Sequence, residues 1–185
     1  MRGLTDDVVR EFCWLCDSAF RWNTAHRVLF DDNPAIETDM AGRHGAFLGL
    51  LSAITQEYSL HEIAKLGDPA IQNNRANLSC DYIIRFGGWD TATRAKLEAL
   101  AKQLQEFSVK IRPARNRVLA HSDLESILDG GTLGAFEKDA DRKFFEALQE
   151  FVNIVHGSTI GGPRPLDSAM VRHAAAFRDA LATIR

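Results

Sequence analysis

Apolar residues spaced three and four apart, with almost no stretch of strand-like alternation, constrain this chain more than any other feature. Val8, Val9, Phe12, Leu15, Cys16, Phe20 and Phe30 recur at that spacing, with Asn23 and Arg27 as polar interruptions, and such spacing lines up on one helical face. Thr5 is a candidate N-cap, and acids fill the turn after it, where the helix dipole favours them. One helix is predicted from about Thr5 to Phe30. The connection DDNPAIETDMAG, broken by Pro34, follows. A second long helix is predicted from about Arg43 to Leu66, carrying Phe47, Leu50, Leu51, Ile54, Tyr58, His61 and Leu66, and stopped by Gly67-Asp68-Pro69.

The polar segment QNNRANLS reads as a loop, and LSCDYIIRF as a short helix ended by Gly87-Gly88. Thr91 is the expected cap of the next helix, whose stripe is Leu97, Leu100, Leu104, Phe107 and Ile111. Pro113 interrupts that helix or opens a new one, reaching to about Leu128, since proline is tolerated only in a first turn. After the turn-rich LDGGTLGAF, a helix is predicted from about Lys138 to His156, ended by Gly157, and Asp167 is expected to cap a terminal helix. Long helices joined mostly by short turns predict an all-α, up-down helical bundle, with residues 1–185 as a single domain.

Composition narrows the function. Apolar residues make up 45% and charged residues 25% of the 185, as in folded globular chains. No apolar run approaches the roughly 20 residues that span a bilayer, and MRGLTDDVVREF turns acidic at once, unlike an export signal. With only three cysteines, no disulfide framework is expected, and a reducing cytoplasm is the expected compartment. The net charge of -3 argues against sequence-blind coating of nucleic acid, so phosphate chemistry would need a local basic patch. Lys110, Arg112, Arg115 and Arg117 form one within a stretch that holds no acid.

That patch runs into RPARNRVLAHSD, where Arg115-Asn116 is followed, after four residues, by His121. Arg, a polar residue and a spaced His in helical context resemble the signature of the HEPN superfamily. The earlier HEIAKLGDPA, with Asp68 just past a long helix, resembles its abortive-infection branch. The resemblance implies a bundle that dimerises so that two such motifs meet and, in many members, a metal-independent ribonuclease.

The residues fit that chemistry on their own terms. On a continuous helix, positions six apart differ by about 600° in rotation and about 9 Å in height, so Arg115 and His121 of one chain do not converge on one small group. A break near Pro113, or a second copy across a two-fold axis, is needed. Histidine suits the general acid/base role that activates the RNA 2'-hydroxyl. Arg115 suits the phosphate clamp, because its planar fork binds bidentately. Asn116 would orient the histidine or a phosphate oxygen. Lys110, Arg112 and Arg117 would bind the RNA backbone, and Asp123 would hold an Arg or His in place. Asp123 also stands two residues after His121, where HEPN toxins paired with a nucleotidyltransferase antitoxin carry a modifiable Tyr, so that route of regulation is not expected here.

The expected function is a toxin-type or phage-defence endoribonuclease acting as a homodimer on RNA, with no cofactor or metal and with a cognate antitoxin protein as a possible partner. The alternative is a non-catalytic helical dimer that binds a partner protein, RNA or nucleotide. Other features read as structural. Cys13 and Cys16 share a helix face but lack further ligands, so buried thiols are expected. Glu57 and His61 lack the paired Glu-x-x-His repeats of a di-metal bundle. Asp68 is expected to cap a turn, Trp89 to pack under a loop, and Tyr58, Phe144, Phe145 and Phe151 to be core.

Overall fold

The computed structural model describes residues 3–114 and 139–183, the side chains of residues 112–114 excepted. Helix α1 spans Asp6–His26 and passes without a break into a π-helical turn, Arg27–Asp31. Helices α2 (Ile36–Ala41) and α3 (Gly45–Leu66) follow. A two-stranded hairpin, β1 (Ile71–Gln72) and β2 (Arg75–Ala76), leads to α4 (Cys80–Phe86) and α5 (Thr91–Ala114). Beyond the undescribed residues come α6 (Ala140–Thr159) and α7 (Ala169–Thr183). The described chain is thus all-α apart from one small hairpin, as the periodicity predicts.

Helix α1 is the central element, packing on α3, α6 and α7, while α5 packs on α6, α3 and α4. One continuous core results, built on Phe12, Ile63, Ile83, Leu97, Ile111, Leu148 and Phe151. The predicted α5 stripe is buried throughout, from Leu97 to Ile111. Phe12 and Phe151 meet with ring centroids 5.7 Å apart, and both are fully buried. Phe151→Ala is expected to lower stability by about 3–5 kcal/mol, the usual cost of emptying a buried phenylalanine site; the shift in the urea unfolding midpoint measures it.

Several expectations are corrected. The helix predicted to Phe30 changes to π geometry at Arg27. The connection that follows it contains α2. QNNRANLS is partly a hairpin: Ile71 pairs with Ala76 and Gln72 with Arg75, and Asn73 and Asn74 both take positive φ, as a tight two-residue hairpin turn requires. Asp90, rather than Thr91, caps α5, accepting from the Thr93 N–H at 2.9 Å and from its hydroxyl at 2.6 Å. These bonds hold the Asp90 carboxyl below its usual value. Pro113 lies inside the last turn of α5, and Gly157 lies inside α6, which runs on to Thr159.

Gly67 does end α3, with ordinary rather than left-handed geometry. Its lack of a side chain serves a close crossing, because a Cβ there would sit 3.0 Å from Ser108 of α5. Gly87 makes room in the same way for the Trp89 ring. That ring packs against the core and donates its Nε1–H to the Ile83 carbonyl at 2.9 Å, so Trp89 is structural, as expected.

A further correction concerns α3. Several of the apolar residues named for it lie on its outer face: Phe47, Leu50, Ile54 and Tyr58 are 64%, 57%, 48% and 43% exposed. Tyr58, expected in the core, lies against Trp22 instead, with ring centroids 4.6 Å apart. The inner face carries Thr55, Ser59, Leu60, Glu62, Ile63 and Ala64. A helix apolar all round has no periodicity that tells its inside from its outside.

Candidate functional site

Of the predicted site residues, Arg115, Asn116, Arg117, His121 and Asp123 lie outside the described residues, as does the side chain of Arg112. Lys110 is exposed in the last turns of α5. That helix is fixed beneath it by buried Phe107 and Ile111, and by Ser108, whose hydroxyl donates to the Leu104 carbonyl at 3.0 Å. A rigid, core-anchored helix therefore carries the chain to Ala114, the residue before Arg115.

Near the same helix the sequence reading missed a cavity of about 350 Å³ with mixed polar and apolar walls, lined by the end of α1, the π turn, α3, Phe107 of α5 and the start of α6. The π turn explains how its charges meet. In an α-helix, neighbours on one face are three or four apart; in π geometry the backbone bond spans five. The Asp32 N–H accordingly donates to the Arg27 carbonyl at 2.7 Å. His26 thereby approaches Asp31 at 3.5 Å, and Arg27 reaches Asp32 at 3.0 Å, both pairs five residues apart.

Arg27 also pairs with Asp141 of α6 at 3.2 Å, and Asn23 donates to that carboxylate at 3.1 Å. His26 is buried, with Nδ1 3.0 Å from the Thr55 hydroxyl oxygen. The same hydroxyl lies 2.9 Å from the Leu51 carbonyl, and the other ring nitrogen, Nε2, faces Asp31. Ser59, 3% exposed, also lines the cavity, and its hydroxyl has no hydrogen-bond partner among the described residues.

A second polar strap ties α7 to α1. Buried Asp17 accepts from Arg164 at 2.8 Å and from the Asp167 N–H at 3.2 Å. Asp167 in turn accepts from the Ala169 N–H at 2.8 Å, the capping role predicted for it. That bond, with the charge of Arg21 at 2.8 Å, holds the Asp167 carboxyl below its usual value. Arg164 is held above its usual value by the hydrogen bond it donates to Asp17.

Cys13, Cys16 and Cys80 are all free and buried, so the thiols are structural, as expected. Burial pushes Cys13 up to about 11, Cys80 up to about 12, and Cys16 well above its usual value. Since the thiolate is the reactive form, a disulfide-exchange reagent at pH 8 is expected to label none of the three until denaturant is added. The raised values also stabilise the fold fully only below the ordinary thiol value of 9.0, with the contribution lost as pH rises through about 11 and 12. Asp68 lies in the turn after α3, its N–H bonded to the Lys65 carbonyl at 3.2 Å. Glu57 and His61 are both exposed on the outer side of α3.

An α-helical bundle in which α5 leads directly into an Arg-Asn-x4-His segment is the arrangement of a HEPN domain. The match to known families is specific: the chain fits HEPN_AbiU2, described as AbiU2, over residues 4–179. The chain belongs to that family. No curated protein and no solved structure matches it. Among the described residues, no helix is long and apolar enough to cross a membrane.

Proposed function

We propose that this protein is a metal-independent endoribonuclease of toxin or phage-defence type, cutting RNA at a composite site where two Arg115-Asn116-x4-His121 motifs meet across a homodimer. The observation that carries the reading is the AbiU2 family match over residues 4–179, a span that contains the whole motif. In this reading His121 takes the proton from a ribose 2'-hydroxyl as its oxygen attacks the adjacent phosphorus. Arg115 binds the phosphoryl oxygens as negative charge builds on them. The bond to the 5'-oxygen breaks, and that oxygen is protonated as it leaves. The products carry a 5'-hydroxyl and a 2',3'-cyclic phosphate, which water can open to a 3'-phosphate.

Two features of the described chain support the reading. Lys110 puts a positive charge on the surface of α5 close in sequence to the motif, and Arg112 and Arg117 continue that basic run. The apolar outer stripe of α3, Phe47 to Tyr58, leaves the kind of face that a second copy would cover. Asn116 would orient His121 or a phosphate oxygen, and Asp123 would hold a neighbouring cation. An antitoxin that masks the basic run would complete a toxin pair.

The test is incubation of the purified protein with cellular RNA in EDTA, with both product ends identified. Cleavage leaving 5'-hydroxyl and cyclic or 3'-phosphate ends supports the mechanism. 5'-Phosphate ends, or a requirement for added metal, overturn it. A folded dimer that cuts nothing would favour the binding alternative.

A further inference from the structure

We propose that the cavity under the π turn is a nucleobase subsite that takes the Watson–Crick edge of guanine; this rests on RNA being the substrate. Its volume, about 350 Å³, falls within the range of small-ligand sites. The observation pointing to a ligand is Ser59. Ser59 is almost wholly buried and lines the cavity, and its hydroxyl has no hydrogen-bond partner among the described residues, whereas buried polar groups are normally paired.

Charge decides which part of a nucleotide fits. Asp31, Asp32, Asp139 and Asp141 all line the cavity. Against them stands Arg27, whose guanidinium is already clamped by Asp32 and Asp141. A phosphate is repelled there, so an uncharged base enters and its phosphates stay outside. Leu60, Ile63 and Phe107 give the cavity an apolar floor suited to a flat ring. No three acids, histidines or cysteines among the described residues group to hold a metal ion.

Asp31 selects the base. Among the described residues its carboxylate meets only the 3.5 Å approach of His26, so both oxygens can accept. Guanine presents two parallel donors, N1–H and N2–H, that match such a carboxylate, and no other RNA base does. The Ser59 hydroxyl and the Gln56 amide, both in the lining, can donate to the guanine carbonyl oxygen.

The experiment titrates the full-length protein with guanosine, inosine, 5'-GMP and spermidine, followed by calorimetry and amide NMR shifts. Guanosine is expected to bind. Inosine, which lacks the N2 amino group, is expected to bind about tenfold more weakly, the loss of one arm of a bidentate pair. 5'-GMP should bind no more tightly than guanosine. Ser59→Ala should weaken guanosine about fivefold, one hydrogen bond's worth, without lowering the melting temperature, since the hydroxyl has no partner to lose. Asp31→Asn should weaken guanosine and erase the preference over inosine.

Equal affinity for guanosine and inosine would overturn the proposal, as would tighter binding of spermidine or full guanosine affinity in Ser59→Ala. Guanosine binding is read without any cleavage, so the two readings fail separately. RNA cleavage without guanosine binding removes the subsite alone. Guanosine binding without cleavage removes the ribonuclease alone.

Discussion

Replacing His121 by alanine is expected to lower metal-free RNA cleavage by about a hundredfold to ten-thousandfold, the range over which one positioned acid/base group contributes. The size follows from the chemistry. A 2'-hydroxyl is a poor nucleophile until its proton is taken, and no other histidine stands in the motif's neighbourhood in sequence; His156 is 35 residues beyond and its Nδ1 lies 2.9 Å from the Gly162 carbonyl. Arg115→Lys should fall between wild type and His121→Ala, because lysine keeps the charge but not the planar fork. Product ends and rates in EDTA are the measurements, with helical content compared by circular dichroism. Wild-type rates in His121→Ala would move the chemistry away from this motif altogether.

How far the sequence revealed this molecule depended on whether one residue's neighbours decide its geometry. The α5 stripe was readable because Leu97 to Ile111 alternate with charged residues, so only one face can be buried. On α3 apolar residues occur all round, so spacing alone does not separate exposed Phe47, Leu50 and Ile54 from the face that packs on α1. The tight turn at Asn73-Asn74 was hidden because the strands it joins are two residues each, too short to alternate visibly.

The Arg115-Asn116-x4-His121 segment stands out in the sequence from residue types and spacing, whereas the cavity under the π turn does not. Its trace is the pair His26-Arg27 followed five residues later by Asp31-Asp32, a spacing that looks wrong for an α-helix and is right for a π turn. Ser59 and Gln56 carry no such trace. Their place in the site comes from where α3 crosses α1, which is a property of the packed bundle.

Mixing two inactive variants is expected to restore activity if the site is shared between protomers. In a symmetric dimer each pairing takes Arg115 from one chain and His121 from its partner. Arg115→Ala and His121→Ala homodimers each lack one member of both pairings. In a hybrid, one pairing loses both members and the other keeps both. With random exchange about half the dimers are hybrids, and each retains one pairing of two, so activity should return to about a quarter of wild type. Starting from homodimers reduced about a hundredfold or more, that is a rise of at least about 25-fold on mixing. The measurement is cleavage rate after the two variants are co-refolded at equal concentration, with hybrid formation followed by differently tagged chains. Restoration to that level requires trans pairing across the dimer. Hybrids that form and stay inactive would place Arg115 and His121 in the same protomer's site, and a chain that remains monomeric under these conditions would remove the composite site itself.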